Sequence, residues 1–250
     1  SLSCYYPINI VGGYIEDDIK NYDLMYDHGS FVYEGSSNKF DDKTIIKRTD
    51  DTPQSLVYSY NGIQKGTFEV YSNGSVSDEN VDIYVSKDGL HYEVLDKTIT
   101  RIGPASPSNT EYQKYEVSAF TNSDEYNFIK FEVKNDSKVY RPMIGKVKII
   151  YNPEDNAKTI DINVVNSLIK MNLGSETTLD VKIAPANSQP QLTYESLDES
   201  IASIDKNGKI TAKKLGSTYV IARVNDQIYT RCVVNVYENF AYKKNVEVSG

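Results

Sequence analysis

The chain has no tryptophan, only two histidines and only two cysteines, and each scarcity closes off a class of chemistry. Two cysteines and two histidines scattered over the whole length cannot give the clustered ligand spacing of a zinc site. Nucleophilic catalysis needs a base beside the nucleophile, yet neither His28 nor His91 stands near a serine or cysteine motif of the Gly-x-Ser-x-Gly kind. No glycine-rich phosphate cradle occurs. A basic excess is missing too: net charge is −8 and the pI is near 4.9, which leaves no basic stripe for nucleic acid and nothing to hold the chain on anionic lipid. No apolar run is long enough to span a bilayer, so no membrane insertion is expected, and no signal peptide is visible. Ser1 stands where a lipoprotein signal would have leucine, so no lipid anchor is expected at Cys4. Cys4 and Cys232 fall in different halves, which argues against a structural disulfide. Cys232 lies in the alternating run Arg231-Cys232-Val233-Val234-Asn235-Val236-Tyr237, where a small buried residue fits.

What is present points to ordered β-structure. The chain is 39% hydrophobic and 25% charged, the balance of a soluble globular protein rather than a disordered one. Its 21 tyrosines join Val, Ile and Thr in runs of strand length, and no amphipathic helix longer than two turns can be drawn. The expected class is all-β. In the first half, strands are expected at 8–11, 31–34, 44–48, 55–60, 66–71, 81–86, 91–95, 112–120, 128–134 and 145–151, with turns at Asn61-Gly62, Asn73-Gly74, Lys87-Asp88-Gly89 and Asn135-Asp136. Such a series without helical crossovers suits an antiparallel two-sheet jelly-roll sandwich. The acidic segment Glu16-Asp17-Asp18 to Asp27 reads as a loop. Its carboxylates could hold a structural calcium ion, although EF-hand spacing is lacking and a solvated acidic loop is the plainer expectation. No other cofactor is expected. Paired carboxylates could in principle hydrolyse glycosides, but small sandwiches rarely form the cleft this needs, so no catalytic residue and no enzyme is expected.

The second half carries a motif. Leu173-Gly174, Ala184-Pro185, Tyr194, the alternating Ile201-Ala202-Ser203-Ile204-Asp205, the turn Asn207-Gly208, the return Lys209-Ile210-Thr211-Ala212 and then Leu215-Gly216-Ser217-Thr218 follow one another in order. Asn207-Gly208 is the pair expected to take two positive φ angles in a tight hairpin. This series strongly resembles the bacterial immunoglobulin-like domain of group 2, over roughly residues 158–237, with Tyr194 where that family usually has tryptophan. The resemblance implies a small Ig-like sandwich that serves as a spacer or adhesive module.

The first half carries a second resemblance. Val85-Ser86-Lys87-Asp88-Gly89-Leu90-His91-Tyr92-Glu93-Val94, then Tyr126-Asn127-Phe128-Ile129-Lys130-Phe131-Glu132-Val133, then Pro142-Met143-Ile144-Gly145-Lys146-Val147-Lys148-Ile149 resemble a hairpin and two strands of galactose-binding-like sandwiches. Ile45-Ile46-Lys47-Arg48-Thr49 followed by Leu56-Val57-Tyr58 is similar to carbohydrate-binding modules of bacterial glycan hydrolases. The resemblance implies a non-catalytic glycan-binding module. Those modules usually stack sugars on tryptophan, so tyrosine must serve here. A sugar site joins a ring face to a few planar hydrogen-bonding groups, and the candidates are Tyr33, Lys47, Arg48, Tyr71, Tyr140 and Arg141. Nearly all of the negative excess falls before residue 153, which favours a partner of neutral chemistry such as a polysaccharide.

The expected organisation is a sandwich at 1–152, a linker at 153–158, the Ig-like domain at 159–237 and a tail at 238–250. The tail, with Asn239, Ala241, Lys244, Val246, Val248, Ser249 and Gly250, resembles the opening of a discoidin domain, which implies that the native chain continues. The whole reads as a monomeric piece of a larger secreted or cell-surface bacterial protein. A protein-binding adhesin fragment, or a purely structural spacer array, is the alternative.

Overall fold

The computed structural model describes residues 12–34, 39–40, 43–134, 141–154 and 157–239. Tyr140, Cys4, the expected strand at 8–11, the Asn135-Asp136 turn and the tail from 240 lie outside the described residues. No α-helix occurs among the described residues. The chain divides into two compact units. One holds residues up to Lys158 with Ala184–Ser188, and the other holds Thr159–Ile183 with the residues from Gln189 onward.

The first unit is an antiparallel β-sandwich of twelve strands: β1 (Gly13–Asp17), β2 (Asp27–His28), β3 (Phe31–Tyr33), β4 (Ile46–Arg48), β5 (Gln54–Ser59), β6 (Ile63–Ser72), β7 (Val81–Ser86), β8 (Tyr92–Val94), β9 (Thr98–Ser106), β10 (Asn109–Phe120), β11 (Phe128–Val133) and β12 (Met143–Tyr151). One sheet has the order β3-β4-β12-β6-β10-β9, with β1 also on β12, and the facing sheet has the order β2-β5-β11-β7-β8. Inward residues alternate as the strand period requires. Phe68, Val70, Val117, Val147 and Ile149 of one sheet meet Leu56, Ile83, Ile129 and Phe131 of the other in one core. The Phe68 and Phe131 rings stack with centroids 4.4 Å apart. Gly66 makes room for the Ile129 side chain beside the Phe68 ring, because a Cβ there would lie 2.3 Å from Ile129 Cδ1.

Besides the two-residue β2, two strands depart from the expectation. Residues 13–17 form β1, paired in register with Tyr151–Val147 of β12, rather than opening a loop. Residues 98–106, expected as a connection, form the edge strand β9 on β10. A small second cluster lies apart from the main core, where Phe40, Ile45, Ala105 and Met143 cover the Tyr71 ring.

The second unit comprises β13 (Asp161–Val164), β14 (Leu168–Asn172), β15 (Glu176–Thr178), β16 (Val181–Ala184), β17 (Thr193–Ser196), β18 (Ala202–Ile204), β19 (Lys209–Ala212), β20 (Gly216–Arg223) and β21 (Tyr229–Tyr237). They form a β14-β21-β20-β17 sheet, a β15-β19-β18 sheet and the pair β13-β16. β14 runs parallel to β21. Cys232 is fully buried among Val220, Val234, Ile210 and Ala212, and burial raises its thiol pKa. The β18–β19 turn is wider than expected. Only Gly208 takes a positive φ, +79°. The Asp205 carboxylate accepts the N–H groups of Asn207 and Lys209 at 2.8 and 3.0 Å, and the Gly208 N–H reaches the Asp205 carbonyl at 3.0 Å. An aspartate-braced four-residue turn thus replaces the two-residue one.

Candidate functional site

Most of the candidate residues gather at one end of the first unit, where β3, β4, the end of β6 and the start of β12 meet. Their roles divide by burial. The Arg48 side chain is 1% exposed. Its guanidinium donates to the carbonyls of Asp51 at 3.1 Å, Thr52 at 3.3 Å and Arg141 at 3.0 Å. It ties the loop after β4 to the segment entering β12 and presents no free face to a ligand. Arg141 donates to Asn73 Oδ1 at 2.9 Å and so fixes the turn after β6. Tyr71 is fully buried. Its ring meets Phe40 edge-on at 5.2 Å and its hydroxyl donates to Glu69, so its ring cannot lie under a sugar. The expectation that Arg48 and Tyr71 touch ligand is therefore corrected: both side chains are buried and enclosed by their neighbours.

Tyr33 and Lys47 remain at the surface. Tyr33 is 45% exposed, and Lys47 donates to Glu34 at 2.9 Å. Beside Tyr33 the structure brings two residues that the motif reading did not select. The rings of Tyr22 and His28 stack at 4.0 Å with an interplanar angle of 19°, and Tyr22 and Tyr33 stack at 6.0 Å and 26°. Three nearly parallel rings thus form a row with Tyr22 in the middle. Burial first, and then the neighbouring Tyr33 hydroxyl, raise the Tyr22 phenol pKa. The row depends on β2, whose Asp27 and His28 pair with Val57 and Leu56 of β5. The turn behind it is braced by Gln54, whose Oε1 accepts the Ser30 N–H at 2.7 Å. Gly29 permits that brace, since a Cβ there would lie 2.2 Å from Gln54 Oε1.

The acidic segment does not converge. Asp17 is buried and accepts the Ile19 N–H at 2.8 Å and the Tyr58 hydroxyl at 2.9 Å, while Glu16 and Asp18 face Lys146. Among the described residues no group of three or more Asp, Glu, His or Cys side chains is gathered as a metal site.

The hairpin between β7 and β8 has the expected turn. Asp88 accepts the N–H groups of Leu90 and His91 at 2.8 and 2.9 Å, and His91 Nδ1 lies 2.7 Å from its second oxygen. The His91 and Leu90 contacts hold the Asp88 carboxyl well below the usual range. Gly89, at φ +77°, sits over the Phe128 ring.

Residues 161–234 match the model of the bacterial Ig-like domain, group 2. The second unit carries a group 2 Ig-like domain. The turn Asp205–Gly208, the Gly216 entry to β20 and the buried Cys232 all lie within this Ig-like domain. An uncharacterised protein of Clostridium acetobutylicum is 26% identical over 129 residues, which cover 49% of this chain and 32% of that protein. The chain thus spans about a third of the length of that curated relative. Among solved structures, the K2 cleaved adhesin domain of Lys-gingipain aligns at 13% identity and a TM-score of 0.36, over 54% of this chain and 87% of that one. A family 32 carbohydrate-binding module from a family 31 glycoside hydrolase of Clostridium perfringens aligns at 18% identity and a TM-score of 0.30, over 52% and 98%. The Ig-like domain is a non-catalytic domain type. No helix among the described residues is long and apolar enough to cross a membrane.

Proposed function

We propose that the first unit is a non-catalytic glycan-binding module of a larger secreted or cell-surface bacterial protein, and that the Ig-like domain is its spacer. The observation that carries this is the row of Tyr22, His28 and Tyr33. Stacked rings cover one another, so the flat face left for the C–H side of a pyranose is the outer face of a terminal ring, Tyr33, which stands 45% exposed. Lys47 and Glu34 pair with each other on the other face of these strands, since Lys47 stands opposite Val32 and Tyr33 opposite Ile46, so they are not part of the ring row. Arg48 and Arg141 act as positioning residues that hold the loops in place. Because Gln54 braces the turn between β2 and β3 through the Ser30 N–H, binding costs little ordering of that turn.

The test is affinity electrophoresis of the whole chain in gels of neutral polysaccharides. One of them is expected to retard the protein. Tyr33→Ala should weaken that retardation about fivefold to tenfold, the worth of one lost ring contact, with an unchanged thermal midpoint. Retardation that survives both Tyr33→Ala and Tyr22→Ala would move the site elsewhere, and no retardation by any neutral glycan would overturn the module reading. A protein partner would then be favoured at the β7–β8 hairpin, where Leu90 and Val94 stand 80% and 60% exposed.

A further inference from the structure

The outer face of the seven-stranded sheet holds a polar groove that the ring row does not use. A concavity of about 160 Å³ is lined by Glu69 of β6, Lys114 and Glu116 of β10, Lys146 and Lys148 of β12, and the exposed Ile102 of β9. A second, of about 230 Å³, shares Lys146 and continues past Asp18 and Lys20 to Lys43. The two hollows lie on either side of Lys146, the one residue that lines both.

Two clusters of the same construction flank them. Glu16 accepts the Tyr14 hydroxyl at 2.7 Å and Lys146, with Lys148 at 3.8 Å. Glu69 accepts the Tyr71 hydroxyl, and Lys114 at 2.7 Å, with Lys43 at 3.6 Å. In each, one carboxylate is surrounded by a phenol and two ammonium groups. The two carboxylates are thereby supplied with donors, whereas each lysine carries three N–H donors and no acceptor. Donors are therefore left over on Lys114, Lys146 and Lys148, which line the first hollow, even though Lys146 also meets Asp18 at 3.3 Å. The contacts also fix the charge state: hydrogen bonds from Lys146 and Tyr14 lower the Glu16 pKa, and Lys146 is raised chiefly by Glu16. Among the described groove residues, lysines outnumber carboxylates, in a half of the chain that is otherwise strongly acidic. A local cationic track on an acidic body selects for ligand charge rather than for bulk attraction.

We propose that this track binds a strand of anionic polysaccharide, whose acidic groups accept from Lys114, Lys146 and Lys148 while a sugar ring lies against Ile102. Carboxylates of uronic acids and sulfate esters offer the same acceptor chemistry. This site is separate from the ring row and does not depend on the row binding sugar.

The experiment is affinity electrophoresis of the whole chain at low salt in gels of polygalacturonate, dextran sulfate and uncharged dextran. Retardation by at least one anionic polymer and none by dextran is expected, fading as salt is added because the contacts are exposed to screening. Retardation by polygalacturonate alone assigns carboxylates, and by dextran sulfate alone sulfate esters. The double variant Lys114→Ala/Lys148→Ala should weaken retention by about tenfold or more. If that variant melts early, Lys148→Glu serves instead, since Lys148 is 45% exposed in its side chain and reverses charge in the track without opening the core. Absence of retardation by both anionic polymers, or retention unaltered by the charge variants, overturns the proposal.

Discussion

Glu69 shows how a single side chain on the sheet's outer face links stability to pH. Burial would raise its pKa, but Lys114, Tyr71 and Lys43 outweigh it and hold the carboxyl below the ordinary glutamate range. A folded pKa below the unfolded value of about 4.3 means that the ionised group stabilises the fold above that pH. The stabilisation is lost as pH falls through the lower folded value. Wild type and Glu69→Gln should therefore differ in thermal midpoint at neutral pH and converge towards pH 3. Melting curves followed by circular dichroism at both pH values check this, and a gap that stays constant between them excludes the linkage. The same neighbourhood explains why residue type alone selected two side chains that are enclosed. Tyr71 and Arg48 are the ring and the guanidinium that sugar recognition prefers, yet Phe40, Ile45 and Met143 cover one and carbonyls of three other residues enclose the other. Phe40, Ile45 and Met143 are distant from Tyr71 in sequence, as Arg141 is from Arg48, and the nearer carbonyls of Asp51 and Thr52 are backbone groups that no side-chain pattern announces. Tyr33 was selected from the sequence, but its partners Tyr22 and His28 were hidden for the converse reason: spacings of six and five residues along the row match no secondary-structure period, and only the short β2–β5 pairing brings the rings into line.

At the level of elements, the β18–β19 hairpin gives a sharp test of turn chemistry. Gly208 is at φ +79°, and a Cβ there would lie 3.0 Å from Tyr194 Cζ. Gly208→Ala therefore meets both left-handed backbone strain, about 1–2 kcal/mol, and a ring that must shift. For a domain of this size each kcal/mol lowers the midpoint by roughly 4–8 °C. Calorimetry of the variant should show such a drop, whereas an unchanged midpoint would mean that the turn relaxes into another geometry. The hairpin itself was legible from alternation on both sides of Asn207-Gly208. Its exact turn was not, because the Asp205 side chain competes with the backbone for N–H groups. Buried strands such as β6, β11 and β12 announced themselves through regular apolar alternation. β9 did not: Gly103 and Pro104 read as loop signals, and an exposed edge strand needs little apolar patterning. β1 was concealed by its acidic residues, which here meet lysines of β12 rather than solvent alone.

The described residues have two main hydrophobic cores, one around Phe68 and Phe131 and the other around Ile210, Val220 and Val234, beside the small cluster around Tyr71. Cooperative unfolding follows the extent of one packed core, so each cluster should define its own transition. Ile210 is fully buried in the Ig-like domain, and Ile210→Ala should cost about 2–5 kcal/mol through lost burial and the cavity left behind. Phe131→Ala in the first unit should cost about 3–5 kcal/mol for the same reason. Scanning calorimetry of the full chain is expected to show two endotherms, with Ile210→Ala lowering one and Phe131→Ala the other. The larger unit, with more surface to expose, should contribute the larger enthalpy, which assigns each peak independently of the variants. Equal displacement of both endotherms by either substitution, or a single endotherm that moves with both, would make the chain one cooperative block. In that case the spacer reading of the Ig-like domain would have to give way to one in which it helps to maintain the binding fold.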